Sequence, residues 1–461
     1  WSSDGELMIL LEYISITNTR LHIVDANTGE RSLFTPELSE EVSYRNARFG
    51  SQRHAIYYTC DEDSDFQHVI RLDFKSGERK HFLDEIKWDV EAFELSPNGQ
   101  TMTVVHNEGG ASRLRFMDVS TGKPRAQQAF HSALPTGVIR KIQWHQSGSE
   151  FVYDFEWALS PGEIKMIRLG KKEETLWAAS DTGQLNLNKI SIPRREEMHS
   201  IDNVEFDTWV YPPGSRINGK FKPKYSLRGI PVIILFHGGP ESQFRPRFMG
   251  RYNYLMSEER IALLCPNVRG SRGYGKRHLK ADNGMDRSRV MLDVQRLRNA
   301  IGADSYFDAE RIAVMGGSYG GFMTLQSMVM LNNFVRCGVD VVGISNFVSF
   351  LKNTSDYRRD LRRVEYGDER DPKMREFLQD FSPLTHVDNI TRPLLIVQGA
   401  NDPRVPASES EQIEQALRKN GIETWYLLAK DEGHGFRKQV NREFQFLTTI
   451  QFLRKHLLDE E

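Results

Sequence analysis

Arg311-Ile312-Ala313-Val314-Met315-Gly316-Gly317-Ser318-Tyr319-Gly320-Gly321-Phe322 decides the fold. Ile312 to Met315 is a short unbroken apolar run, as in a parallel strand buried on both faces. From Phe322 to Leu331 the apolar residues fall at helical intervals. Between them, Gly316-Gly317-Ser318-Tyr319-Gly320 fits Gly-x-Ser-x-Gly in the strand-to-helix setting that motif requires. Glycines flank the serine because so sharp a turn crowds the backbone. The turn lifts the Ser318 hydroxyl above the sheet edge, beside backbone N–H groups at a helix N-terminus.

A serine hydroxyl is a weak nucleophile until a base takes its proton, so an imidazole and an orienting carboxylate should follow, each in a loop after a strand. Leu394–Val397 runs into Gln398-Gly399-Ala400-Asn401-Asp402. Trp425–Leu428 then leads to Asp431-Glu432-Gly433-His434-Gly435-Phe436. Ser318, Asp402 and His434 are therefore the expected catalytic residues. His386 precedes Asp402, the wrong order for the base, and Asp431 sits too close to the histidine loop to replace Asp402. The oxyanion formed on attack needs preorganised donors. One is expected from the Tyr319 N–H, the other from the loop His237-Gly238-Gly239-Pro240.

Outward from this core, Val232–Phe236, Ile261–Cys265, Ile312–Met315, Val339–Val342, Leu394–Val397 and Trp425–Leu428 read as strands. Helical patterns lie between them at Met285–Ile301, Phe322–Leu331 and Ser408–Leu417, with Phe444–Leu457 last. The alternation predicts a doubly wound, mostly parallel α/β domain over residues 196–461. Tyr211-Pro212-Pro213-Gly214 and the polar stretch to Arg228 read as an exposed loop before its first central strand.

Residues 1–195 follow another grammar. A turn precedes an apolar strand at Ser3-Asp4-Gly5, Gly50-Ser51-Gln52, Pro97-Asn98-Gly99 and Ser147-Gly148-Ser149. A second strand trails each one, as Leu21–Gly29, Val69–Gly77, Leu114–Gly122 and, more loosely, Ile164–Gly170. The first three end in an Asp-x-x-Thr/Ser-Gly turn, and such units recurring every ~40–50 residues mark propeller blades. A β-sandwich with chance spacing is the alternative. Four blades are visible, and a larger ring missing its N-terminal part is the preferred expectation. Trp1 is not a translation start and no leader follows it, so the chain reads as a piece of a longer protein, with the cytoplasm as default compartment.

Composition sets the outer limits. The 461 residues carry 61 basic and 63 acidic side chains, a formal charge of −2, which gives no polybasic surface for nucleic acid or anionic lipid. Cys60, Cys265 and Cys337 make neither a disulfide framework nor metal-ligand spacing. The apolar runs are far short of the ~20 residues that cross a bilayer. Neither a metal nor an organic cofactor is expected.

Gly316–Gly321, Phe236–Pro240, Pro266–Gly275, Gly399–Val405 and Asp431–Phe436 together resemble the prolyl oligopeptidase family of serine peptidases. The resemblance implies a propeller capping an α/β-hydrolase, short peptides as substrates, and Ser318, Asp402 and His434 as nucleophile, orienting acid and base. It implies that Arg404 binds a substrate carbonyl and that Val405 walls the pocket for the residue before the scissile bond; Phe347 and Phe350 are further pocket candidates that read equally well as core residues. Prolyl endopeptidases and dipeptidyl peptidases are similar in using a tyrosine at the position of His237. Histidine followed by two glycines resembles the acylaminoacyl-peptidase branch, so Gly239 is the expected second donor and strict proline specificity is not implied.

The expectation is a serine peptidase acting through an acyl-enzyme, with a carboxylesterase or a propeller binding protein with a dormant hydrolase as alternatives. Oligomerisation is left open. Arg358-Arg359-Asp360-Leu361-Arg362-Arg363 reads as a solvated helix face paired with Asp356, Asp360 and Glu365 rather than an anion site. Glu40-Glu41 and Glu196-Glu197 have the form of amine-binding acidic pairs, without further support.

Overall fold

The computed structural model describes all residues except 37–39, 51–53, 126–134, 172, 218–219, 224–227 and 461. It separates into two compact units. The first holds Trp1–Leu185, Arg245–Phe248 and Arg272–Leu279, and the second holds the rest.

The first unit is a series of small antiparallel sheets, each built from consecutive strands. Strands β1 (Leu7–Tyr13), β2 (Thr19–Asp25) and β3 (Arg31–Leu33) form one. A second contains β4 (Arg45–Phe49), β5 (Ala55–Cys60), β6 (His68–Asp73) and β7 (Arg79–Phe82). A third has β8 (Val90–Leu95), β9 (Thr101–Glu108) and β10 (Ala111–Asp118). The last has β11 (Gly137–Trp144), β12 (Glu150–Trp157), β13 (Ser160–Arg168) and β14 (Glu174–Ala179). These are propeller blades, and the turn-then-strand repeat marks their two best-buried strands. The other strands escaped notice; among them β3 is short and β14 is exposed. Of the turn expected at 50–52, Ser51 and Gln52 lie outside the described residues.

Alternation along the inner strands fills a core on each side of a blade. Ala55 and Tyr57 pack with Phe93, Met102 and Val104, whereas Ile56, Tyr58 and Cys60 pack with Leu21, Val42 and Tyr44. The Asp-x-x-Thr/Ser-Gly turns share one geometry. In the second blade the N–H groups of Lys75 and Ser76 donate to Oδ1 of Asp73 at 3.0 and 3.1 Å. The Gly77 N–H returns to the Asp73 carbonyl, and Gly77 takes φ +71°, a left-handed conformation that disfavours other residues.

In the second unit one sheet dominates. It contains β15 (Arg194–His199), β16 (Glu205–Tyr211), β19 (Ile230–Phe236), β20 (Ala262–Asn267), β21 (Phe307–Gly317), β22 (Cys337–Val341), β23 (Leu394–Gly399) and β24 (Thr424–Ala429). Their order is β15-β16-β20-β19-β21-β22-β23-β24, parallel from β20 onward and antiparallel among β15, β16 and β20. Between β16 and β19 a hairpin, β17 (Gly214–Ile217) with β18 (Lys220–Pro223), replaces the plain loop expected there. Its two strands are too short and polar to stand out from loop sequence. Helices cover both faces: Val232, Ile234 and Phe236 pack into one core with Val294 and Leu297, while Ile233 and Leu235 enter the other with Phe452 and Leu453. Among the described residues no helix is long and apolar enough to cross a membrane.

Candidate active site

Parallel strands deliver their following loops to one edge of the sheet. β21 ends at Gly317, and Ser318 follows with φ 60° and ψ −119°, a strained conformation for a residue other than glycine. The strain is over-determined. The Ser318 N–H donates to the Val341 carbonyl at 2.9 Å, and the helix Tyr319–Met330 begins at once, with the Phe322 N–H donating to the Ser318 carbonyl. The turn also needs bare backbone beside it: a methyl on Gly320 would stand 2.4 Å from the Phe236 carbonyl oxygen.

Asp402 and His434, the expected acid and base, arrive on the loops after β23 and β24. Oδ1 of Asp402 accepts the N–H groups of Arg404 and Val405 at 2.8 and 3.0 Å. Oδ2 is left to face His434 Nδ1 at 2.7 Å, with the carboxylate buried and the imidazole slightly exposed. A carboxylate oxygen can only accept here, so the proton of the neutral ring sits on Nδ1 and Nε2 keeps its lone pair. The two loops are laced together: the Ala400 N–H donates to the Ala429 carbonyl and the Asn401 N–H to the Glu432 carbonyl. The Glu432 carboxylate closes the histidine loop by accepting the N–H groups of Arg437 and Lys438, both at 2.9 Å.

The loop after β19 reaches the serine as well. A methyl on Gly238 would stand 3.5 Å from Cβ of Ser318. His237 Nδ1 lies 2.8 Å from the Gly238 carbonyl oxygen, and its Nε2 lies 2.9 Å from Ser271 Oγ. Fixing the Gly238 carbonyl aims the N–H of the same peptide, which belongs to Gly239, the opposite way.

The remaining candidates separate. Val405 is buried and Arg404 is exposed beside the acid loop. Phe347 and Phe350 are buried within the aromatic core: Phe347 packs on Phe322 and Tyr366 with centroids 4.7 and 5.0 Å apart, and Phe350 meets Tyr366 edge-on. His386 instead bonds the Asp380 carbonyl, and Asp431 pairs with Lys438. Glu196 and Glu197 are held by Arg194 and Arg195. In the arginine run, Arg359 pairs with Asp356, Arg363 with Asp360 and Glu369, and Arg362 with Glu365. Arg362 turns inward, however, and its Nη1 donates to the Gly239 carbonyl at 3.3 Å. Sequence reasoning missed this, together with Asp282, Arg287 and Tyr366. For Arg287 the signal was a charged residue inside Met285–Ile301, a segment read for its apolar period.

Among known proteins, the prolyl oligopeptidase family matches residues 246–460. "Dipeptidyl peptidase family member 6" of Caenorhabditis elegans is 39% identical over 412 residues, covering 85% of this chain and 55% of that protein. The human "Acylamino-acid-releasing enzyme" is 24% identical over 298 residues, or 62% of this chain and 40% of that protein. This chain thus spans about half the length of such relatives, or less. A puromycin-hydrolyzing peptidase of Mycobacterium tuberculosis shares the fold with a TM-score of 0.82 at 19% identity, covering 99% of this chain and 70% of its own. The α/β part of this chain, residues 246–460, thus matches the prolyl oligopeptidase family.

Proposed function

We propose that this protein is a serine peptidase that cleaves peptide bonds of short peptides through an acyl-enzyme. The Asp402–His434 pair at the sheet edge that also carries the Ser318 elbow is the observation that carries this reading. Ser318 Oγ adds to the scissile carbonyl carbon while its proton passes to Nε2 of His434. Asp402 holds the Nδ1–H tautomer and stabilises the imidazolium that forms. The N–H groups of Tyr319 and Gly239 receive the oxyanion. Collapse breaks the C–N bond, and the leaving amine takes its proton from His434. Water, deprotonated by the same imidazole, then attacks the ester carbonyl and releases Ser318.

In this reading Arg404 binds a substrate carbonyl and Val405 lines the pocket before the scissile bond, as the family resemblance implies. The names of the relatives, a dipeptidyl peptidase and an acylamino-acid-releasing enzyme, favour substrates cut near their N-terminal end. A fluorophosphonate probe tests the reading. Ser318 should be labelled covalently, and Ser318→Ala should abolish labelling and lower peptide turnover by several orders of magnitude, about 10⁴-fold or more. Undiminished labelling of Ser318→Ala would remove Ser318 from the nucleophile's role.

A further inference from the structure

Beneath the serine elbow lies a charged cluster that the reaction scheme above does not use. Arg287 is fully buried. Its Nη1 donates to Asp282 Oδ2 at 2.7 Å and its Nη2 to the Glu365 carbonyl at 3.0 Å. The guanidinium lies over two tyrosine rings, 5.3 Å from the centroid of Tyr319 and 4.8 Å from that of Tyr366. The Tyr319 hydroxyl reaches the same Asp282 oxygen at 3.4 Å. The Tyr366 hydroxyl donates to the Gly239 carbonyl at 3.4 Å, beside Arg362 Nη1 on the same oxygen. Arg362 is in turn paired with the buried Glu365.

Followed along its contacts, the cluster runs from Tyr319 through Arg287 to Tyr366 and ends on Gly239. Tyr319 and Gly239 are the two residues whose N–H groups are assigned to the oxyanion. A buried ion pair is a poor device for stability, because removing both charges from water offsets most of their attraction and apolar packing fills such space as well or better. It does impose a single arrangement on what it touches. Oxyanion donors act only when held about 2.7–3.1 Å from where the negative charge develops.

We propose that Arg287 and Arg362 are positioning residues that hold the two halves of the oxyanion hole in register, Arg287 by clamping the Tyr319 and Tyr366 rings and Arg362, with the Tyr366 hydroxyl, by gripping the Gly239 carbonyl. Neither side chain touches the reacting atoms. The inference rests on the peptidase reading above and goes beyond it in saying what keeps the hole open to the correct width.

The test uses the full chain and the rate of covalent labelling by a fluorophosphonate, whose phosphoryl oxygen occupies the oxyanion hole. Measured over probe concentration, labelling separates reversible binding from the bond-forming step. Arg362→Gln and Tyr366→Phe leave the Arg287–Asp282 pair intact, so they keep the inference testable if Arg287→Lys does not fold. Each of the two, measured on folded protein, should slow the bond-forming step about tenfold, with half-saturating probe concentration unchanged. The double variant should fall short of the product of the single losses, since both groups hold one oxygen. Arg287→Lys, which keeps the charge and loses the planar stack, should slow it more, by about a hundredfold. Labelling of the folded variants at the parent rate, or a loss confined to probe binding, would overturn the inference while leaving the peptidase reading intact. A parent protein that does not label at all would overturn both.

Discussion

Asp73 and Asp402 make the same local structure in the two units of the molecule. Each carboxylate takes the backbone N–H groups of the residues two and three positions ahead on Oδ1, at 3.0 and 3.1 Å for Asp73 and at 2.8 and 3.0 Å for Asp402. They differ in what the other oxygen meets. Oδ2 of Asp73 meets Arg71, which lies two residues back on the same strand, at 2.7 Å. Oδ2 of Asp402 meets His434, brought by the neighbouring parallel strand β24. The same carboxylate-to-backbone bonding therefore ends on a local arginine in the blade and on a distant imidazole in the α/β sheet. The lesson is that the turn belongs to the local sequence, and the chemistry belongs to whichever strand is delivered beside it.

That contrast can be broken most forcefully at the two aspartates. Asp402→Asn should keep the fold, because the amide oxygen still accepts the two backbone N–H groups, but it offers His434 the wrong partner. Peptide turnover should fall about 10³–10⁴-fold with little change in melting temperature. Asp73→Asn should leave turnover unaltered. Equal effects from the two would mean that Asp402 serves only its turn.

The same comparison can be made with an added methyl. Gly320→Ala drives Cβ to 2.4 Å from the Phe236 carbonyl oxygen, a backbone atom with little room to move. It should cost about 3 kcal/mol or more in a denaturant titration and take the serine elbow with it. Gly77→Ala meets open space and pays only for its left-handed backbone, about 1 kcal/mol. If the blade variant proved the worse of the two, the α/β unit would be the more forgiving one.

A gentler probe is Asp340 on β22, buried against Gly321 and Gly343 under the elbow helix. Burial pushes its carboxyl up to about 7, with the Gly343 N–H pulling the other way. The folded protein then holds that proton more tightly than the unfolded chain, whose aspartate titrates near 4. Its contribution to stability is present in full below pH ~4 and is lost as pH rises to about 7. Asp340→Asn should remove that slope, at most about 1.4 kcal/mol per pH unit, so the variant gains on the parent between pH 5 and pH 8. Urea midpoints at the two pH values measure the difference, and parallel shifts would show that Asp340 ionises normally.

Legibility differed along the same line. Two strands of each blade announced themselves because an antiparallel pair is formed by neighbours in sequence, and the Asp-x-x-Thr/Ser-Gly turn carries its own hydrogen bonds. The central parallel strands were legible as apolar runs. Strands β15 and β16 and the hairpin of β17 and β18 were not, since their residues alternate or are plainly polar. In the site, the Ser318 elbow and the loops of Asp402 and His434 were readable because each carries glycine or a carboxylate at a fixed place after a strand. The inward turn of Arg362 was not, since arginines three and four residues apart on a helix look alike until something is packed against one of them.

The sequence by itself determined the strand-to-helix elbow at Ser318, the loops carrying Asp402 and His434, and the repeating blade turns, because each is closed by bonds among residues a few positions apart. Only the tertiary structure decided that Oδ2 of Asp402 faces an imidazole, that Gly238 lies against the serine, and that one buried guanidinium touches both Tyr319 and Tyr366. Those meetings join residues from separate loops and helices, and it is the order of strands in the sheet, invisible in any local stretch, that brings them together.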